Sequence, residues 1–230
     1  MTLNLSDNVL KRRVFKQAIL DLHIKEFMLG QTKKYLFKNK NTIDIGAATG
    51  MYSSFFAKHS KNVFSFEAVP PVYKQLALLS DKIDNLNVYN LAVSDFSGKS
   101  DFYVDDKRLS NSGFQNLVGG QKIEVDTIKL DGFGIDNIGF MKIDVEGNEL
   151  DVLNGAVGLI EEYLPTCMVE IYDKFNKYPV ETTFDFFFSR NYKCFYNERA
   201  KGLKQVRNIN EALEAQKIIE ITDGDFLFTQ

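Results

Sequence analysis

The sequence predicts an α/β protein: a mostly parallel β-sheet with helices on both faces. Three observations predict it. Between residues 41 and 94, short apolar runs alternate with segments of helical period, in the order β-α-β-α-β. A turn of small residues, "DIGAATG" (44–50), joins the first strand to the first helix. A later apolar strand, "FMKIDVEGNEL" (140–150), ends in Asp144, Glu146 and Glu149 around Gly147.

Residues 7–37 have helical spacing, with Val9, Leu10, Val14, Ala18, Leu22 and Phe27 apolar and Lys and Arg between them. They predict an N-terminal helical segment (1–38) that covers or precedes the main domain (39–230). Its basic residues read as a solvated face, and Gly30 suggests a break. "NTIDIGA" (41–47) is a short buried strand and "MYSSFFAKHS" (51–60) a helix. "NVFSFEA" (62–68) is a strand. "PVYKQLALLSDKI" (71–83) is a helix with Pro71 at its start, where a missing N–H is tolerated. "LNVYNLAVS" (86–94) is the third strand. "KSDFYVD" (99–105) is an added strand, and 106–122 a polar loop. "IEVDTIKLDGF" (123–133) is strand then turn. "IGFMKIDVEG" (138–147) resumes the sheet, a helix spans 149–163, and "TCMVEIY" (166–172) is the next strand.

The C-terminal part begins with a helix over 180–191. Phe184, Phe187 and Phe188 share one of its faces, as core rather than a cofactor box. Asn191 sits where a left-handed residue stops the helix. "YKCFYN" (192–197) is a strand. "KIIEI" (217–221) and "DFLFT" (225–229) flank the turn signal "TDG" and predict an antiparallel pair ending the sheet.

The chain has 230 residues, enough for one sizeable core and short for two independent domains. A hydrophobic fraction of 44% and a charged fraction of 26% exclude global disorder. The net charge of −3 lacks the basic excess of a nucleic-acid binder. The apolar runs are too short to span a membrane, and the first residues do not read as a signal peptide. The cytoplasm is the default location. Cys167 and Cys194 lie in apolar runs and read as buried free thiols. His23 and His59 have no Cys or His partner nearby and read as structural or surface residues.

Three motifs carry chemistry. The spacing of Gly46 and Gly50 is G-x-x-x-G, neither the dinucleotide fingerprint nor a phosphate-binding loop. Asp44, just before the turn, would repel a pyrophosphate and could hold an ammonium group. That points from NAD towards an amino-acid-bearing nucleotide such as S-adenosylmethionine. A plain strand–helix turn is the alternative. Glu67 then ends the second strand, 23 residues after Asp44, where an acid can accept hydrogen bonds from both ribose hydroxyls. Ala92, Val93 and Ser94 end the third strand, where backbone and small side chains could line an adenine slot. The carboxylates after "FMKI" read equally as solvent dressing, a metal site, a general base or a cofactor anchor.

The runs "DIGAATGMYSSFFA", "VFSFEAVPP", "NLAVSDFSG", "FMKIDVEGNELDVLNGA" and "MVEIY", in this order, resemble the FkbM family of S-adenosylmethionine-dependent methyltransferases. The resemblance covers about residues 40–195, and the ending "DFLF" is similar to the family's final strand. It implies the Rossmann-like class I methyltransferase fold, a seven-stranded sheet with one antiparallel strand near the edge. It also implies methyl transfer to a hydroxyl on a glycan or small-molecule metabolite. Two positions depart from the family: Ala48 where Asn is common, and Asn191 in place of glycine.

By resemblance, Asp44, Gly46, Ala47, Thr49, Gly50, Met51 and Tyr52 would surround the methionine portion of S-adenosylmethionine. Glu67, with Ala68 beside it, would hold the ribose, and Ala92 and Val93 the adenine. Asp144 would face the methionine end and the acceptor. Asp144 and Glu146 are the candidates for general base, since side chains at i and i+2 share one strand direction. A divalent cation on Asp144 and Glu170 is the alternative, with metal-free chemistry placed ahead of it. Glu149 is expected to compensate the dipole of the helix it begins. The 106–122 loop could close over the acceptor or be a plain surface loop. Two rival readings are a nucleotide-binding scaffold without catalysis and an NAD-dependent oxidoreductase.

Overall fold

The computed structural model describes residues 30–105, 112–115, 120–172, 176–198, 202–219 and 224–230. The N-terminal segment up to residue 29, including His23, and most of the 106–122 loop lie outside the described residues. Among those described, no helix is long and apolar enough to cross a membrane.

Eleven strands and six α-helices are described. The strands are β1 (Asn41–Ile45), β2 (Val63–Phe66), β3 (Leu86–Tyr89), β4 (Ala92–Val93), β5 (Gly98–Val104), β6 (Gln121–Ile128), β7 (Ile138–Ile143), β8 (Thr166–Glu170), β9 (Lys193–Asn197), β10 (Leu203–Val206) and β11 (Asp225–Thr229). The helices are α1 (Met51–Ala57), α2 (Pro70–Ser80), α3 (Glu149–Asn154), α4 (Val157–Tyr163), α5 (Val180–Phe188) and α6 (Ile209–Ile219). Eight strands form the main sheet, in the order β10-β9-β11-β8-β7-β1-β2-β3. The run β8-β7-β1-β2-β3 is parallel, while β11 is antiparallel to both β8 and β9. This is the expected class I methyltransferase-like sheet with one more strand than expected. The addition is β10, antiparallel to β9 at the edge. Only Val206 of β10 is buried, so its sequence carries no clear two-residue alternation.

Four other expectations are corrected. Residues 86–94 are not one strand: β3 stays in the main sheet, whereas β4 joins a second sheet, β4-β6-β5. Lys217 to Ile219 of "KIIEI" are not strand, because they end α6, and residues 220–221 lie outside the described residues. Asn208 Oδ1 accepts the Glu211 N–H at 3.0 Å at the start of α6, and Ala212, Ala215 and Gln216 are buried at helical spacing. The helix over 149–163 is two helices. At Gly155 between them the chain passes so close to the Ser94 carbonyl that a Cβ would collide with it. Gly30 is helical rather than a break.

Each face of the sheet has its own core. On the α1 face, Phe140, Met168 and Leu227 pack with Phe56, Val63 and Leu86. On the other, Ile43, Ile45, Met141, Ile143 and Val169 pack with α3 to α6 and the aromatic group Phe184, Phe187, Phe226 and Phe228. The Phe187 and Phe228 rings stack at 3.8 Å, so the α5 stripe is core. Cys167 and Cys194 are buried free thiols whose pKa burial pushes up. His59 lies edge-on to Phe55 at 5.0 Å. Its pKa is lowered by burial and by Lys33, Lys38 and Lys58.

Candidate active site

The site lies at the carboxyl ends of the parallel strands, where open α/β sheets bind ligands. The residues Gly46, Ala47, Ala48, Thr49, Met51, Tyr52, Lys142 and Asp144 line a cleft with about 270 Å³ of empty space, open to solvent. The turn from β1 to α1 is built from backbone. Gly46 and Gly50 have φ of 74° and 77°, and Ala48 between them is also left-handed at 46°. Gly46 leaves no room for a side chain, because a Cβ there would overlap the Asp144 carbonyl. The Gly46 and Ala47 N–H groups both donate to the Phe66 carbonyl at 3.0 Å.

Glu67 ties this turn to the next. Its two carboxylate oxygens accept the Ala48 N–H at 3.0 Å and the Val69 N–H at 2.8 Å. The Asn90 amide donates to the Glu67 and Ala68 carbonyls at 2.8 and 3.0 Å. Glu67 is buried, and burial pushes its pKa up to about 7. The two amide hydrogen bonds oppose that rise, while the Asp144 and Asp44 charges add to it. Ala92 and Val93 are buried in β4, Ala92 in the cluster that also includes Val69, Phe102 and Ala68.

Strand periodicity explains the rest. Asp44, Lys142, Asp144, Glu170 and Asp225 sit at alternating positions with the α1-face core residues Phe140, Met168 and Leu227. Registers Asp44↔Lys142 and Asp225↔Glu170 set them side by side. Lys142 donates to Asp144 Oδ2 at 2.9 Å, with Asp44 Oδ1 at 3.9 Å and the Tyr52 ring centroid at 4.8 Å. Ser53 donates to Asp44 Oδ2 at 2.6 Å and receives the Ser65 hydroxyl at 2.9 Å. The Tyr52 hydroxyl donates to Asp225 Oδ2 at 3.5 Å.

Beyond β7, Glu146 (φ 54°) and Gly147 (φ 100°) are both left-handed. Glu146 therefore leaves the strand, and its carboxylate reaches Asp144 across a turn rather than along one strand. Oxygens of Asp144, Glu146 and Glu170 all lie within 4.8 Å of one another. This hard-oxygen set could hold a divalent cation. Glu149 does more than face a helix dipole. Its Oε1 accepts the Gly147 N–H at 3.0 Å and the Val145 N–H at 3.3 Å, so it clamps the turn that precedes α3. Burial pushes its pKa up to about 7. Of the 106–122 loop, Gly113 pairs with Tyr103 and faces the Glu146 and Val145 carbonyls, and Phe114 packs edge-on to Phe102.

Sequence reasoning gave no role to Lys142, Ser53, Ser65, Asn90 or Asp225. Lys142 carried a signal: a lysine inside the apolar strand "IGFMKI" must be paired, and Asp144 lies two residues on, on the same side. Asp225 carried none, because its neighbours come from strand order alone.

The methyltransferase FkbM domain family matches residues 44–194. The fold is similar to that of a methyltransferase FkbM from Methylobacillus flagellatus KT. The TM-score is 0.54 and the identity 14%, over 83% of this chain and 44% of that one. This chain thus spans less than half the length of that protein. It is also similar to the Streptococcus mutans protein SMU.1697c, solved in complex with SAH. The TM-score there is 0.48 and the identity 11%, over 89% of this chain and 95% of that one. No curated protein sequence matches the chain.

Proposed function

The chain belongs to the FkbM methyltransferase family, and from that premise we propose that it moves a methyl group from S-adenosylmethionine to a hydroxyl oxygen of a glycan or small-molecule metabolite. The observation that carries this reading is the glycine turn braced by Glu67 beside a cleft lined by Lys142 and Asp144, with the buried Asp44 next to Lys142. Carboxylates and small residues fit a cationic amino-acid-bearing nucleotide. They do not fit a pyrophosphate, which disfavours NAD. Bound there, S-adenosylmethionine supplies an activated methyl on a sulfonium.

On this reading the chain's own residues do the rest. Residues 46–52 with Asp44 hold the methionine portion. Glu67, ionised, accepts from the ribose hydroxyls, and Ala68, Ala92 and Val93 border the adenine. Asp144 and Glu146 face the acceptor, orient its hydroxyl and take its proton as the oxygen–carbon bond forms. The acceptor is a small molecule or glycan in the cytoplasm, with no nucleic acid or membrane involved.

Isothermal titration with S-adenosylmethionine and S-adenosylhomocysteine tests the donor. Micromolar or tighter binding is expected, weakened by Glu67→Ala, with no binding of NADH. If neither ligand binds, the reading fails. Methyl-labelled donor then reports the linkage: base-stable ether label supports O-methylation of a hydroxyl, and base-labile ester label contradicts it.

The convergence of Asp144, Glu146 and Glu170 favours a second reading, in which a divalent cation acidifies the acceptor hydroxyl. Titration with Mg²⁺ alone separates the two. Binding that Glu146→Gln removes supports the cation, and the absence of binding leaves carboxylate chemistry.

A further inference from the structure

We propose, on the donor reading above, that Lys142 sets the charge of the donor cleft and so fixes how the protein weighs S-adenosylmethionine against S-adenosylhomocysteine. Lys142 is 2% exposed, one residue from the end of an apolar strand. An ammonium buried there is tolerated only if paired. Two carboxylates pair it, Asp144 at 2.9 Å and Asp44 at 3.9 Å, and the Tyr52 ring lies alongside. The ammonium is not hidden behind these partners, because it lines the same cleft as the Gly46–Thr49 turn, Met51 and Tyr52.

Charge decides the consequence. Lys142 faces Asp144 and the buried Asp44, and Glu146 and Glu170 adjoin Asp144, so the carboxylates gathered there outnumber this ammonium. S-adenosylmethionine carries a sulfonium in addition to its amino-acid zwitterion and is a net monocation. The product has lost the sulfonium charge and is neutral overall. Lys142 therefore offsets one unit of the negative charge that the cleft presents to the donor. Without it, the floor would favour the sulfonium over the thioether more strongly.

The experiment is calorimetric titration of both ligands at pH 8.5, above the Glu67 titration, with thermal melts to show that each variant is folded. Lys142→Met is expected to shift the affinity ratio about tenfold towards S-adenosylmethionine, the order a unit charge exerts across a partly buried site. Lys142→Arg keeps the charge and is expected to leave the ratio within about twofold. Asp144→Asn removes a negative charge and is expected to move the ratio the other way. General damage to the site would weaken both ligands alike in every variant. Should Lys142→Met not fold, Lys142→Gln is the second neutral variant. An unchanged ratio in the folded neutral variant, or the same shift in Lys142→Arg, overturns the assignment of Lys142 alone. Binding of neither ligand by the unaltered protein overturns the donor reading and this inference with it.

Discussion

Two turns at the same end of the sheet are built alike and placed differently. In the first, after β1, Glu67 reaches from the neighbouring strand end and accepts the Ala48 and Val69 amides. In the second, after β7, Glu149 reaches back and accepts the Gly147 and Val145 amides. Both glutamates are buried, and burial raises both to a pKa of about 7. Yet the first turn lines the cleft with backbone and small residues, while the second presents a cluster of carboxylates. A buried carboxylate that clamps a turn is thus a device of the fold. On the proposed reading it serves as a ligand anchor only where the turn it holds faces the cleft.

The turns touch where Gly46 meets the Asp144 carbonyl, and the largest effect is expected there. Gly46→Ala would place a methyl on the Asp144 backbone and also strain a left-handed residue. A loss of about 3 kcal/mol or more in stability is expected from denaturant unfolding, with S-adenosylhomocysteine binding lowered more than about 100-fold. Near-normal binding by a folded Gly46→Ala protein would show that the turns are not interlocked as described.

The two glutamates break the comparison cleanly. Glu67→Gln is expected to weaken S-adenosylhomocysteine about 30-fold above pH 8, where Glu67 is ionised and the best acceptor. Binding by the unaltered protein should rise with pH through about 7 and level off above, because the proton must leave before the ribose can be accepted. Glu149→Gln should leave binding within about threefold.

Stability is where Glu149 should show. A carboxyl raised from 4.5 to about 7 on folding holds its proton more tightly in the native state. Its destabilising effect is absent below about pH 4.5, grows as pH rises towards 7, and is constant above. Glu149→Gln keeps the oxygen that accepts the two amides and removes the charge. Relative to the unaltered protein, it should gain about 3 kcal/mol between pH 4.5 and pH 8 in urea unfolding. A pH-independent difference would mean that Glu149 is not held protonated by burial.

The comparison also explains what the sequence could disclose. The first turn was legible because its constraints are local: Gly46, Gly50 and the Glu67 strand end are dictated by backbone geometry and fixed spacing. The parallel strands were legible for the same reason, and the core role of Phe184 and Phe187 followed from helical spacing. The second site was only half legible. Asp144, Glu146 and Glu170 could be named, but bringing in Asp225 needs β11 inserted antiparallel between β8 and β9, a long-range choice of order. Strand β10 and helix α6 escaped because "LKQV" is mostly exposed and the adjacent Ile218 and Ile219 carry no period that separates a helix end from a strand. Lys142 could have been found by asking what neutralises a lysine near the end of a buried strand.

The smallest effect expected is at Glu146, and it sharpens the contrast most directly. In the first turn both glycines take left-handed backbone and only Ala48 pays a modest strain beside them. In the second, Glu146 is left-handed immediately before a left-handed Gly147. A long side chain at φ 54° costs roughly 1 kcal/mol relative to glycine. If this position served only the turn, glycine would serve it better. Glu146→Gly should therefore stabilise the protein by up to about 1 kcal/mol in thermal or urea unfolding, offset in part by the freer unfolded chain. It should also lower methyl transfer, or Mg²⁺ binding on the cation reading, because the carboxylate beside Asp144 and Glu170 is gone. Stability gained together with function lost would mark Glu146 as a residue kept for its carboxylate against the preference of its backbone. A loss of stability would instead show that the side chain belongs to the packing of the turn, as Glu149 does.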